Sequence, residues 1–493
     1  MDTKTSGEKV LHESPPTQQD DQTTHDVWNR ANDQNRPRNW SIPKKWIVTA
    51  ILSGFAFVQP LSETMLAPVR APLSSDLSIT RSYQWMLVNS LILIGVGCGP
   101  LLIAPVSEIF GRRVAVLCGT AVFIIWNTCC GFATNLGQML AFRLLSGFGA
   151  CTADAVAGGV IGDIWAPHQR GRAFAVFMVA PLLGPGVGPI AGAYISDAIS
   201  WRWTFWITSI VSSALLVLAV IFLEETFEPR LAKLHSLQPS TSEDTLEQGS
   251  TSHPTSQIEQ LSLWAHIQRP ARMLATQPII QLIAVYMALL YGTMFLFLYM
   301  YSTLWTKRYG QSARISSLNY VSAAIGFIAG VLVAGHLNDK VYSVLRARSA
   351  NNKGRPEFRV PVMLIGTLLI PAGLIEWGWT GETHQHWILP NIGCVIYTAG
   401  CYICSSCVSV YTIDAYTTYA ASAVSTNLVL RSTFSAFFPM FAPYMFDAVG
   451  YGYGATILAG VFGVVGCTTV VVLWRWGERI RSKSTYCAAV DHE

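Results

Sequence analysis

Long apolar runs broken by short polar stretches dominate the chain. A helix crossing about 30 Å of hydrocarbon takes about 20 predominantly apolar residues. Runs near 46–66, 86–106, 114–133, 138–161, 173–195 and 203–223 meet that length. A polar stretch intervenes, and further runs follow near 278–301, 316–338, 360–379, 387–412, 421–446 and 454–474. The pattern predicts an all-α polytopic membrane protein of twelve transmembrane helices, arranged as six, a break and six. The domain layout that follows is an N-terminal tail over 1–45, a first bundle over 46–223, a linker over 224–277, a second bundle over 278–474 and a tail over 475–493. Residues 1–35 and 235–260 are polar and poor in large apolar side chains, the composition of disordered chain. The first 45 residues contain no apolar core, so no cleavable signal peptide is expected and the first helix serves as its own insertion signal.

Charge then sets an orientation. If the N-terminus is cytoplasmic, the inner segments carry Lys44, Lys45, Arg112, Arg113, Arg170, Arg172, Lys340, Arg346, Arg348, Arg475 and others, while the outer loops hold only Arg70, Arg81, Arg202, Lys307, Arg308 and Arg314. This positive-inside bias predicts that both termini are cytoplasmic. Only 13% of residues are charged, against about 25% in soluble domains. The net charge of +4 is too small to indicate a nucleic-acid partner. Cysteines from Cys98 to Cys467 fall in apolar runs, where a thiol packs as a small apolar group. Cys401, Cys404 and Cys407 repeat every third residue but have no histidine or carboxylate beside them, so no metal site is expected. No phosphate-binding Gly-x-x-x-x-Gly-Lys-Ser/Thr loop is present, which argues against ATP drive, and no constellation suggests an enzyme or a cofactor.

Several stretches carry more specific chemistry. Between the second and third predicted helices the chain reads Gly99-Pro100-Leu101-Leu102-Ile103-Ala104-Pro105-Val106-Ser107-Glu108-Ile109-Phe110-Gly111-Arg112-Arg113. Glu108 and Arg112 lie four apart, so on a helical turn they would meet on one face, and Gly111 permits a tight bend. Acids recur at corresponding helix ends in the two halves: Asp163 after the fourth helix, Asp414 after the tenth, and Asp339 in the eighth-to-ninth loop. No arginine stands four residues after Asp339, so the second-half cluster is expected to be the weaker. Within the fourth helix Arg143 and Asp154 are eleven residues apart, about three turns, and would face one direction. Intramembrane charges are functional candidates by default. A structural alternative for Arg143 is donation to backbone carbonyls. The fifth helix carries Gly184, Pro185, Gly188, Pro189 and Gly192, a pattern of kinks and close backbone approach.

On these residues the chain resembles the major facilitator superfamily, in its fungal twelve-helix drug:proton antiporter branch, over about residues 36–482. The resemblance implies two pseudo-symmetric six-helix bundles. It also implies a cytoplasmic charge latch built from Glu108, Arg112 and Asp163, with Asp339 and Asp414 as second-half counterparts. Arg143 stands at the family's proton-coupling arginine, and Asp154 is the nearby carboxylate. The glycine–proline run of the fifth helix is similar to the antiporter signature, with Ala193 where a second glycine is usual. Trp201-Arg202-Trp203, Glu225-Thr226-Phe227-Glu228-Pro229 and Arg355-Pro356-Glu357-Phe358-Arg359 also resemble that branch.

Polar or aromatic residues within the helices are candidates for the substrate cavity: Gln59, Asn89, Asn127, Gln281, Tyr286, Tyr291, Asn319, Tyr320, Tyr397, Asn427 and Arg431. Glu63 is a further candidate, and because it lies near the outer end of its helix the alternative is that it meets water. The favoured function is proton-driven export of a hydrophobic or amphipathic small molecule (a toxin, drug or secondary metabolite) by a monomer in the plasma membrane, with a vacuolar or vesicle membrane as the alternative. The competing readings are a proton symporter importing a nutrient and a non-transporting receptor.

Overall fold

The computed structural model describes residues 36–227, 230–231, 272–349, 354–416, 420–482 and 484; the expectations for the N-terminal tail, most of the linker and the last residues lie largely outside these. The first half comprises α1 (Ile42–Thr64), α2 (Ser82–Ile109), α3 (Arg112–Gly131), α4 (Leu136–Ile164), α5 (Pro167–Ala198) and α6 (Arg202–Phe222). The second comprises α7 (Pro278–Thr303), α8 (Tyr320–Arg348), α9 (Val360–Glu382) and α10 (Ile388–Ala415), followed by a continuous stretch, Ala420–Arg481. That last stretch turns at Gly450, where φ is 81° and ψ 172°, so it supplies two crossings, α11 (420–449) and α12 (451–481). Twelve crossings result, with no strand among the described residues.

The turn at Gly450 has a definite partner. The backbone N–H of Tyr451 donates to Glu382 Oε2 at 2.6 Å, and Arg308 binds the same side chain through Oε1 at 3.3 Å. Glu382 therefore ties the ends of α7 and α9 to the α11–α12 junction, and glycine supplies the positive φ that the junction needs. The fourth helix is not continuous either. It breaks at Cys151, separating Leu136–Ala150 from Thr152–Ile164.

Helix α5 runs from Pro167 to Ala198 through Pro181, Pro185 and Pro189. Gly184, Gly188 and Gly192 are spaced four apart, so they form one stripe, and that stripe packs on α1 and the residue after it. A methyl group at Gly184 would meet Pro60 and Leu61, at Gly188 Thr64, and at Gly192 the backbone carbonyl of Met65. The small residues let the two backbones approach, as membrane helix interfaces require. Gly192→Ala is expected to lower stability by roughly 1–3 kcal/mol, because a backbone carbonyl cannot move aside as a side chain can. Gly158, with nothing within 4 Å of its added methyl, provides the control. Thermal melting in detergent should separate the two, and equal melting of Gly192→Ala and wild type would refute the packing argument.

Large apolar side chains also cover the outward faces, among them Ile125, Ile221, Leu332 and Val464. Such a surface is excluded from water but suits lipid. One buried cluster, with Val48, Leu52, Val156 and Phe177, lies within the first half, and a larger one joins Trp85, Met86 and Phe205 of the first half to Phe297, Trp377, Tyr397 and Phe462 of the second.

Candidate transport site

Three clusters of charge stand out: one at the terminus-bearing end of each half, and one deep between the halves. In the first half, α2 ends at Ile109 and α3 begins at Arg112, with Gly111 at φ 95° between them. Glu108 and Arg112 therefore do not share a helical turn, contrary to the spacing argument; the positive φ of Gly111 breaks the helix between them. The Glu108 side chain lies outside the described residues. Arg112 reaches Asp163 at 3.5 Å, donates to Ser107 Oγ at 2.7 Å and lies over the ring of Phe227.

The segment after α6 completes this cluster. Glu225 Oε1 accepts from the backbone N–H of Arg112 at 2.9 Å, so it caps the first turn of α3. Thr226 Oγ1 donates to Asp163 Oδ2 at 3.3 Å. In the sequence Glu225-Thr226-Phe227 carried kinship alone; its contacts depend on α6 ending beside α3, which no local pattern reveals.

The second half holds a matching cluster, and its cation is Arg359. Its Nη1 lies 3.3 Å from Asp339 and its Nε 3.3 Å from Asp414, with the guanidinium 4.1 Å from the centre of the Tyr342 ring. The second-half cluster therefore has a cation, although none stands four residues after Asp339. The missing arginine after Asp339 is replaced by one from the short helix preceding α9. Beside it Arg481 of α12 pairs with Glu357, a buried ion pair at 3.1 Å.

The central cluster begins at α1. Glu63 is only 6% exposed, so of the two readings of its place near the helix end the water-facing one does not hold. Gln59 Nε2 donates to Glu63 Oε1 at 3.2 Å. Gln59 is also a polar neighbour of Asp154, and both carboxylates feel the charge of Arg431 from α11. Asp154 is exposed although it lies mid-bundle, which places it on the crevice between the halves. Arg431 sits 4.3 Å from the centre of the Tyr291 ring of α7, and the Tyr291 hydroxyl lies 3.0 Å from Ser405 Oγ of α10. Two acids of the first half thus lie within electrostatic reach of a guanidinium of the second.

Arg143 behaves differently from Asp154. Asp154 is exposed, whereas Arg143 is fully buried. It donates to the backbone carbonyls of Val88 at 3.1 Å, Asn89 at 3.3 Å and Ser62 at 3.4 Å, joining α4 to α2 and α1. The structural alternative read from the sequence describes these contacts, although the charge of Arg143 also reaches Glu63.

The remaining cavity candidates separate by location. Asn89 Oδ1 and Asn427 Oδ1 are buried without a protein partner. Asn127 bonds Phe205 O, Thr208 Oγ1 and Ser209 Oγ inside the first half. Tyr286 bonds Thr367, Tyr320 bonds Leu298 O, and Tyr397 packs on Phe297, all inside the second. Gln281 is exposed and donates to the carbonyls of Leu274 and Ala275 at the start of α7. Asn319 bonds Gln311 and Asn391 near the opposite end.

Among the described residues, the polar contacts that join the halves lie at the end away from the termini. Arg314 pairs with Asp197, and Arg70 Nη1 donates to the Tyr299 hydroxyl at 2.9 Å. The halves also touch where Gly97 meets Ser432 and Gly186 meets Ala324.

The family model for the Major Facilitator Superfamily matches residues 52–437. The chain is 37% identical to an uncharacterized transporter of Schizosaccharomyces pombe, over 93% of each chain. It is 36% identical to the efflux pump vrtL of Penicillium aethiopicum, over 94% of this chain and 91% of that one. Its fold is similar to that of the proton:xylose symporter XylE, with a TM-score of 0.64 at 13% identity over 89% of this chain and 96% of XylE. The receptor reading of the sequence gives way to transport, and the chain belongs to the Major Facilitator Superfamily as a membrane transporter, not an enzyme.

Proposed function

We propose that the chain exports a hydrophobic or amphipathic small molecule in exchange for protons, with Glu63 and Asp154 as the proton-carrying groups. The observation that carries this reading is the pair of carboxylates, linked through Gln59, within electrostatic reach of Arg431. When ionised, the acids attract Arg431 and favour approach of the two halves. Protonation cancels that attraction, so proton binding has different free energies in states that hold the halves together or apart, which is what a shift in population requires. Export is supported by the glycine stripe of α5, which resembles the antiporter signature, and by the efflux pump among the relatives. Gln59, Asn89, Tyr291, Asn427 and Arg431 form the substrate-facing set, in a monomer of the plasma membrane with cytoplasmic termini.

The reading is tested in reconstituted vesicles with an imposed pH gradient. Glu63→Gln and Asp154→Asn should each reduce gradient-driven accumulation at least about tenfold, equivalent to about 1.4 kcal/mol, while exchange of labelled for unlabelled substrate continues. If both variants concentrate substrate as wild type does, these carboxylates do not carry the coupling proton. Accumulation driven in the opposite direction by the same gradient would identify an importer instead.

A further inference from the structure

A small cavity lies inside the first half, away from the crevice, where α4 breaks at Cys151. Its walls include Phe55 and Gln59 of α1, Thr120 and Phe123 of α3, Thr152 of α4 and Ser212 of α6. All six are buried. Its volume of about 10 Å³ is about that needed to hold one water molecule.

The chemistry of the walls selects the occupant. Gln59 turns its Nε2 to the Glu63 carboxylate, which leaves its Oε1 buried and without a partner. Thr152 Oγ1 donates to Gly149 O at 2.6 Å and Ser212 Oγ donates to Thr208 O at 2.8 Å. Both hydroxyls have thereby committed their protons and offer only lone pairs to the cavity. Buried acceptors of this kind need a donor, because leaving one unsatisfied costs about 1–3 kcal/mol. No protein donor faces Gln59 Oε1.

We propose that this cavity holds one ordered water, which donates to Gln59 Oε1 while the Glu63 carboxylate holds the Nε2 end. An amide has two ends that differ in chemistry, and it can rotate by half a turn to exchange them. An ionised Glu63 carboxylate can only accept and so selects the Nε2 end, and the water supplies the donor that the Oε1 end otherwise lacks. The bound water thus completes the hydrogen bonding of Gln59 from behind the central cluster rather than in the path of the substrate. Its presence rests on the cavity alone; its importance for coupling rests on the reading of Glu63 given above.

Radiolytic hydroxyl-radical footprinting of the full-length protein in 18O-water tests the proposal without reference to transport. Radicals generated from a trapped water mark the side chains that touch it. Phe55 and Phe123 should take up label at least about fivefold faster than Phe462, a buried ring of the second half, because radical attack falls off steeply beyond contact with the water. Ala153→Val adds two methyl groups to a residue lining the cavity and should abolish the excess. Gln59→Leu removes the acceptor without filling the space and should also abolish it, with labelling of Phe462 unchanged in both variants. Wild-type labelling of Phe55 and Phe123 no faster than Phe462 would overturn the proposal, as would full excess labelling in Gln59→Leu.

Discussion

Arg143→Ala is expected to destabilise the folded transporter by several kcal/mol, on the order of 3, since truncating a fully buried side chain leaves a cavity and removes the charged donor that three carbonyls share with their own helices. The carbonyls of Ser62, Val88 and Asn89 come from two helices, and Arg143 brings the donor from a third. In hydrocarbon no water replaces it. Arg143→Lys should recover only part of the loss, because an ammonium is a point donor and cannot reproduce the planar fork that reaches two helices at once. Fluorescence-detected size exclusion and thermal melting at matched expression provide the measurement. A well-folded Arg143→Ala protein that melts with the wild type, yet fails to couple substrate to the pH gradient, would return Arg143 to a purely electrostatic role in coupling.

How legible the protein was in its sequence depends on the range of the interaction concerned. Crossing helices are written locally: each run of about twenty apolar residues is its own signal, and even the Gly450 junction fell within a polar-leaning gap between two such runs. The glycine stripe of α5 was legible as a close-packing surface because residues four apart share a face, although its partner, α1, was not. Charge pairing is legible only where both partners are neighbours in the chain, and even there the premise of a shared helical turn fails. Glu108 and Arg112 have helical spacing, but Gly111 takes a positive φ and ends the helix between them. Arg359 lies 20 residues from Asp339 and 55 from Asp414, and only the packing of α8, α9 and α10 brings the three together. Glu63 leaves two readings open in the sequence for a related reason. Its distance along α1 fixed its depth, but whether that depth meets water depends on which helices cover it.

The second large effect is expected at Arg359. Arg359→Ala should reduce the initial transport rate at least about tenfold at matched surface abundance, a barrier increase of about 1.4 kcal/mol. The two contacts of Arg359 are unequal. The Asp339 side chain is 87% exposed and that of Asp414 32%, while the Arg359 side chain is 13% exposed. An exposed pair contributes about 0–1 kcal/mol, whereas removing the cation from a half-buried carboxylate leaves a charge that water only partly solvates. Asp339→Asn should therefore transport nearly as wild type does, and Asp414→Asn should resemble Arg359→Ala. Arg359→Lys should fall between them, since one ammonium cannot serve both acids and stack on Tyr342 as the guanidinium does. The cluster joins the ends of α8, α9 and α10, distant in sequence from the central acids, so equilibrium substrate binding should be preserved while turnover falls. Equal impairment of Asp339→Asn and Asp414→Asn would contradict the burial argument. Wild-type turnover in Arg359→Ala would remove the second-half cluster from the transport cycle altogether, leaving Arg112, Asp163 and Glu225 as the remaining candidates for a charge latch at that end of the molecule.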